Sequence, residues 1–293
     1  MVSAGRLGVV VMRAGSGQPA PVEGARPDSP RGRRARPGAA GSRAASLIVV
    51  SAPLFLVESL PAADQLTLDG PEGHHAATVQ RLRVGEELLL ADGRGGTAAA
   101  VVTAVGRGTL DLTVTSRGYV DADVPRLVVV QGIAKGDRGE LAVQAMTEVG
   151  VDEIVPWAAS RSVVQWRGDR GVRAREKWAA TAREAAKQAR RAWLPVVAGA
   201  PDESTATVAR RIAGAGAAFV LHEEADERLT TVELPTTGEI VLVVGPEGGI
   251  APTELTVFTE AGARPVRLGP SVLRTSTAGV AALSVLATRL PRW

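Results

Sequence analysis

Residues 241–250 read VLVVGPEGGI. Four aliphatic residues in unbroken succession, Val241 to Val244, require a strand covered on both faces. Such strands belong inside parallel sheets, where each connection is a crossover, most often a helix. The chain then turns through Gly245, Pro246, Glu247, Gly248 and Gly249. A bare turn after a buried strand predicts an α/β architecture with a ligand loop, because open α/β sheets bind ligands at the carboxyl ends of their strands.

The neighbouring segments agree from Leu127 onward. RLVVVQGI, DEIVPWA, AAFVLHEE and RPVRLG read as strands. Between and after them, DRGELAVQAMTEVG, GVRAREKWAATAREAAKQARRAW, TATVARRIAG, PTELTVFTEAG and TSTAGVAALSVLATRL read as helices. In the first of these helices the spacing puts Leu141, Ala145, Met146 and Val149 on one face, with Gly150 as the stop. Alternation of this kind predicts a mostly parallel sheet with helical layers. Three loops then fall at one edge of it: the GPEGG turn, LGPSVLRTSTAG (residues 268–279) and the strand end at His222. Together they predict a pocket.

From Leu47 to about Val120 the texture differs. SLIVVSAPLFLVE, EELLLADGRGGTAAAVVTAV and TLDLTVTSRGYV read as short strands, with a glycine-rich hairpin at Asp92–Gly96. A small antiparallel barrel is expected there. VDADVPR, residues 120–126, reads as the linker. The predicted organisation is a leader over 1–46, a barrel over 47–121 and an α/β domain over 125–293.

Composition removes several function classes. The chain has 293 residues and no cysteine, so disulfides, thiolate nucleophiles and cysteine-bound zinc are excluded. Its three histidines, His74, His75 and His222, form no HExxH pattern, and no metal site is expected. No run of 18 apolar residues exists, so no membrane partner is expected and the cytoplasm is the predicted location. The net charge of +3 is unevenly placed: residues 1–46 carry eight arginines against two acids, which leaves the remainder slightly acidic. RNA binding must therefore rest on local patches. The Gly/Ala/Pro/Ser/Arg leader lacks the apolar content to offset its ordering entropy. It reads either as a disordered basic arm that touches RNA, or as an idle tail produced by a start assigned too early.

The loop chemistry narrows the ligand. GxxxxGK[ST] is absent, and the nearest dinucleotide-like pattern, GAGAAF at Gly214, sits in helix-to-strand rather than strand-to-helix order. In GPEGG, Pro246 biases Gly245 toward extended backbone. Gly248 and Gly249 permit positive φ and leave room for a flat ligand against the main chain. A tight strand–helix turn without ligand reads equally well from the loop alone. Glu247 either touches ligand or caps the helix starting near Thr253.

VVGPEGGI together with VRLGPSVLRTSTA resembles the paired signature of the RsmE family, the uridine-N3 methyltransferases of small-subunit ribosomal RNA within the SPOUT superfamily. The resemblance extends upstream through QGIAKGDRGELAVQAMTEVGVDEIVPWAASRSV and REKWAATAREAAKQARRAWLP. GHHAATVQRLRVGEELLLADGRG is similar to the family's PUA-like barrel. The likeness runs from about Ala52 to the C-terminus. It implies an α/β fold with a C-terminal trefoil knot, S-adenosylmethionine as cofactor and a homodimer with sites at the subunit interface.

On that resemblance Gly245, Pro246, Glu247, Gly248 and Gly249 line the cofactor. Leu268, Gly269 and Leu273 close over its adenine, and Leu221 and His222 form a third wall; His222 also reads as a buried strand-end histidine. Arg274 is the candidate cation near the uracil oxygens, and Arg161 a second candidate for substrate or phosphate contact. The family commonly reads LRTETA where this chain has Leu273-Arg274-Thr275-Ser276-Thr277-Ala278, so Ser276 stands in place of a glutamate and no base is assigned. A serine there still reads as a helix cap. His74, His75, Arg81, Arg83, Lys135, Arg138 and Arg191 are the candidate contacts to 16S ribosomal RNA in the small subunit. Arg183, Lys187, Arg190 and Arg191 share a face of the long helix, which reads equally as a solvated surface. The competing readings are an inactive RNA-binding assembly factor, a small-molecule α/β enzyme, and a SPOUT methyltransferase acting on transfer RNA.

Overall fold

The computed structural model describes residues 52–198 and 203–293. The basic leader, with both of its readings, lies outside the described residues. The described residues form one compact unit containing two sheets.

The first sheet contains β1 (Leu54–Leu56), β2 (Gln65–Leu68), β3 (Glu87–Ala91), β4 (Gly96–Val105) and β5 (Leu110–Tyr119), in the order β1-β3-β4-β5-β2. The β3–β4, β4–β5 and β5–β2 pairs are antiparallel. β1 lies parallel to β3, so the expected antiparallel barrel is a mixed sheet. The reason is in β1 itself. Phe55 faces the barrel core while Leu54 and Leu56 pack beside Leu194 of the second region. A strand apolar on both faces needs cover on both, and the position beside β3 supplies it. Along β4 the buried residues Ala98, Ala100 and Val102 alternate with more exposed ones, the period-2 signature of a half-covered strand. The predicted Asp92–Gly96 turn forms: Gly93 and Gly95 take positive φ, and Asp92 Oδ1 accepts from the amides of Arg94 (2.7 Å) and Gly96 (3.0 Å). Between β2 and β3 the chain is helical, first as α1 (Gly70–His74) and then as a π-helical turn over His75–Val79.

The second sheet is parallel throughout. Its strands are β6 (Arg126–Gly132), β7 (Glu153–Trp157), β8 (Val196–Val197), β9 (Ala217–Leu221), β10 (Glu239–Val244) and β11 (Arg264–Val266), in the order β11-β9-β10-β6-β7-β8. The two strands with unbroken apolar runs, β6 and β10, take the centre. Their side chains divide by parity. Leu127, Val129, Leu242 and Val244 pack under α2 (Arg138–Glu148), α3 (Gly168–Gln188) and α6 (Thr275–Arg289). Val128, Val130, Val241 and Val243 pack under α4 (Thr205–Gly214) and α5 (Pro252–Glu260). Each fully buried aliphatic contributes about 1.5–3 kcal/mol to holding the three layers together.

The face of α2 is not the one its spacing suggests. Gly139, Ala142, Val143 and Met146 are buried, whereas Leu141 is 52% exposed. The close approach of α3 decides the rotation: a Cβ on Gly139 would lie 2.6 Å from the Trp178 indole, so only glycine fits under that ring.

The barrel is tied to the parallel sheet at two places. Trp193 Nε1 donates to the Val120 carbonyl at 2.8 Å, and Glu72 of α1 receives Arg183 (3.1 Å) and Lys187 (3.0 Å) from α3.

Candidate functional site

β9 and β11 are neighbours, and β9 pairs with β10. The loops leaving their carboxyl ends therefore converge. They enclose a cavity of about 890 Å3, within the roughly 300–1,000 Å3 usual for small-molecule sites. Leu221, His222, Gly245, Pro246, Glu247, Gly248, Gly249, Leu268, Gly269 and Leu273 all line it. So do Arg138, Arg161 and Arg274. Val244, Ile250, Val266, Thr275 and Ala278 also contribute to its walls. Their position beside the named loops was the only signal that could have marked them.

The GPEGG loop is held by close packing as well as by hydrogen bonds. A Cβ on Gly132, at the end of β6, would meet Pro246 N at 2.6 Å, and one on Gly248 would meet the Arg161 carbonyl at 2.8 Å. Gly249 alone of the pair has a left-handed backbone, φ +73°, and its amide donates to Pro246 O at 2.9 Å. Gly248 is required for space, Gly249 for conformation.

Glu247 does not cap the following helix. Its Oε1 accepts from the Lys135 amide (3.0 Å) and from Arg138 Nη1 (3.3 Å), fastening the GPEGG loop to the β6–α2 loop. The cap of α5 comes from Glu254, whose Oε2 accepts from the Ala251 amide at 3.1 Å. Its Oε1 accepts from the Ser160 amide (2.8 Å) and Thr205 Oγ1 (3.2 Å), so this buried carboxylate is saturated.

The second loop ends at α6, whose N-cap residue is Arg274. Ser276 makes no cap bond. The amides of Thr277 and Ala278 return to the Arg274 carbonyl instead. Thr275 is buried and donates its hydroxyl to the Gly245 carbonyl at 2.8 Å, locking one glycine loop to the other. The Arg274 side chain is exposed, and its guanidinium has no hydrogen bond or ion pair among the described residues. The amino-terminal end of α6 adds its partial positive charge at the same place.

Arg161 approaches Gly248 O with Nη1 at 3.4 Å, a long contact that leaves its guanidinium mostly available. His222 is half-buried at the strand end rather than enclosed. Its amide donates to Val266 O at 2.9 Å, and its Nδ1 accepts from the Glu224 amide at 3.3 Å.

The remaining charged candidates separate into two groups. His74, Arg81 and Arg83 are exposed on the barrel, and Arg81 takes a left-handed φ of 57°. His75 is half-buried, its ring edge-on to Phe55 at 6.0 Å. Lys135 is exposed, and Arg138 keeps 42% of its side-chain surface. Arg191 departs from expectation. α3 ends at Gln188, Arg190 adopts φ 54°, and the chain reverses so that Arg191 points inward. It donates to the carbonyls of Val151 (2.7 Å) and Thr147 (3.0 Å). Burial lowers its pKa, only partly offset by Asp152. An inward arginine closing a helix end is no RNA contact, so Arg191 leaves that set. Arg183 and Lys187, on the same predicted face, are likewise engaged with Glu72.

Among the described residues no group of three or more His, Asp or Glu is placed to hold a metal ion, and no helix is long and apolar enough to cross a membrane.

Comparison with known proteins places this geometry. Residues 122–287 match the family model described as an RNA methyltransferase domain, and residues 68–115 match an RNA methyltransferase PUA domain. The chain is similar to the ribosomal RNA small subunit methyltransferase E of Mycobacterium bovis, with 46% identity over 245 residues, covering 82% of this chain and 93% of that protein. It is 28% identical to the Bacillus subtilis protein of the same name, covering 78% of this chain and 92% of that one. Among solved structures it is similar to the ribosomal RNA small subunit methyltransferase E of Neisseria gonorrhoeae bound to S-adenosylmethionine. That match has a TM-score of 0.70 and 26% identity, and covers 82% of this chain and 98% of the other.

Proposed function

The chain belongs to the RNA methyltransferase family, alongside the ribosomal RNA small subunit methyltransferases E, and from that premise we propose that it methylates N3 of one uridine in 16S ribosomal RNA, using S-adenosylmethionine. The observation that carries the reading is the convergence on one cavity of two glycine loops and an unpartnered arginine, Arg274. The cavity fits the cofactor. Its volume is that of a small-molecule site, and it is lined by the bare backbone of Gly245, Gly248 and Gly249. Gly269 has open space where a Cβ would stand.

In this reading Gly245–Gly249 and Leu268–Leu273 hold S-adenosylmethionine, with Leu221 and His222 on the third side. Bound there, the cofactor supplies an electrophilic methyl group on a sulfonium. The chain's own residues do the rest. The uridine must leave any base pair so that N3 faces the cavity. N3 gives up its proton to water, the uracil oxygens share the resulting negative charge, and the N3–methyl bond then forms as the sulfur–methyl bond breaks to leave a neutral thioether. Arg274 is the fixed cation for that charge, effective because it is already in place. Arg161 steadies the substrate or a phosphate. The first turn of α6 contains no acid, so no base is assigned there.

His74, His75, Arg81, Arg83, Lys135 and Arg138 form the proposed RNA face, reading backbone and shape. The enzyme works in the cytoplasm as a homodimer. Support for the dimer comes from Leu141, Val272 and Leu273, which are 52%, 77% and 40% exposed, Val272 and Leu273 at the cavity edge. The C-terminal trefoil knot belongs to the same reading. Its support is the return of α6 into the core from a loop pinned against Gly245.

The test is methyl transfer. Purified protein is incubated with labelled S-adenosylmethionine and small subunits lacking the modification, and the digested RNA is read by mass spectrometry. 3-Methyluridine at one site is the expected product. Transfer to transfer RNA alone would replace the substrate. Absence of both transfer and cofactor binding would leave an RNA-binding assembly factor.

A further inference from the structure

Gln131 is the one amide side chain fully buried in the parallel sheet, with no exposed surface at all. It stands near the end of β6, opposite Val244 of β10, where the preceding residues are uniformly aliphatic. Its Nε2 donates to Thr275 Oγ1 at 2.9 Å and to the Gly132 carbonyl at 3.2 Å. Thr275 in turn donates to the Gly245 carbonyl at 2.8 Å.

The direction of this relay is forced. Thr275 has one hydroxyl proton, and Gly245 O accepts it. The Thr275 oxygen must then be an acceptor toward Gln131, so the amide faces it with nitrogen and not with oxygen. Both amide protons are thereby used, one on each side. Gln131 Oε1 is left without a protein partner, on the side toward Gly279 and Met146. A buried acceptor without a donor is costly, and a leucine here would avoid it. An amide at this position makes sense if the two donated bonds matter more than the orphaned oxygen.

What the bonds join is the two halves of the cavity. Gly245 opens the GPEGG loop, and Thr275 is the residue after Arg274. Among the described residues no other side-chain hydrogen bond links residues 245–251 to 267–278. We propose that Gln131 is a positioning residue: through Thr275 it fixes the separation between the GPEGG loop and the start of α6, and so places Arg274 at the cavity where the uracil charge develops. This inference rests on the S-adenosylmethionine reading for its consequence, but not for its geometry.

Two measurements separate those layers. The first is backbone hydrogen exchange of the free protein, comparing wild type with Thr275→Val and Gln131→Leu. Both variants should speed exchange in Gly245–Ile250 and in Thr275–Ala278 together, while exchange in the barrel strands stays unchanged. The second is calorimetric binding of S-adenosylmethionine with single-turnover methyl transfer, well below each variant's melting temperature. Each single variant should bind about tenfold more weakly. The transfer rate at saturating cofactor should also fall, because Arg274 is displaced. The double variant should be no worse than the poorer single one, as expected for one connected unit. Thr275→Ser keeps the hydroxyl and should recover most of what Thr275→Val loses. If Gln131→Leu does not fold, Gln131→Met carries the same test.

Exchange unchanged in both loops would overturn the relay. So would full affinity and transfer rate in folded Thr275→Val, or additive losses in the double variant. If wild-type protein binds no S-adenosylmethionine, the functional reading falls and the exchange result still decides the relay.

Discussion

The two ends of the parallel sheet use charge in opposite ways. At the amino-terminal end Arg211 makes a two-pronged contact with Glu153 at 2.6 and 2.7 Å and reaches Glu239 at 3.1 Å. Arg126 bridges the same two carboxylates at 2.6 and 3.1 Å. Nearby, Arg292 is 5% exposed and engages Asp152 at 2.7 Å and the Pro125 carbonyl at 2.6 Å. At the carboxyl end the cations are unsatisfied or weakly engaged: Arg274 has no partner among the described residues, Arg161 one contact at 3.4 Å, and Arg138 one at 3.3 Å. Paired cations hold a fold together, whereas unpaired cations around a cavity are available to something that arrives. The comparison also shows why total charge was a poor guide, since the same residue type closes one end and serves the other.

The largest effect that would sharpen this contrast is expected at Arg274. Arg274→Ala should lower the methyl-transfer rate by about 10²–10³, the usual loss when one fixed group that stabilises developing charge is removed. Its melting temperature should stay close to wild type, because nothing in the fold leans on the side chain. A rate within threefold of wild type would end the assignment of Arg274.

The opposite end should respond in the opposite sense. Glu153→Gln should cost about 2 kcal/mol in urea unfolding, less than the 3–5 kcal/mol of a fully enclosed pair because Arg126 is 42% exposed and screened. Methyl transfer at 25 °C should be unaltered. Equal loss of activity and stability would break the comparison.

Acid should expose the same network. Burial pushes the Glu153 carboxyl up, but the hydrogen bonds and charges of Arg211 and Arg126 together outweigh it and hold it below its ordinary 4.5. A carboxylate depressed in the folded state stabilises above its unfolded pKa, and that stability drains as pH falls through the folded one. Wild type should therefore lose stability from about pH 5 downward, and Glu153→Gln should lose less over the same interval, the two curves approaching each other. Parallel curves would remove Glu153 as the source.

Most of this arrangement was legible from sequence where a local rule operates. Unbroken apolar runs marked β6 and β10, and glycines at strand ends marked the cavity. The failures occur where tertiary contact decides. Leu141 sat on the better-looking helical stripe, yet Gly139 under Trp178 set the rotation of α2. Arg191 continued a basic helical face on paper, but α3 ends three residues earlier and the chain turns it inward. Glu247 and Glu254 are both near the start of α5, and spacing did not show that the second would cap it. β1 runs parallel to β3 because Leu194, more than a hundred residues away, covers its other face. Gln131 gave no signal at all, since a glutamine ending a strand looks ordinary until its burial is known.

The smallest effect tests the comparison at its outer border, the proposed RNA face. Lys135 is exposed and its ammonium has no partner among the described residues, while its backbone amide is occupied by Glu247. If that ammonium meets a phosphate, Lys135→Ala should flatten the dependence of subunit binding on salt, lowering the log–log slope by about 0.7–0.9. Cofactor affinity should be unchanged, because the Glu247 contact uses the main chain. Arg191→Ala is the matched control: the guanidinium is directed into the core, so the salt slope should not move even though the protein is destabilised. Should Arg191→Ala shift the slope as much as Lys135→Ala, the division between structural and available cations would fail. A shift at Lys135 alone would extend that division from the cavity onto the RNA surface.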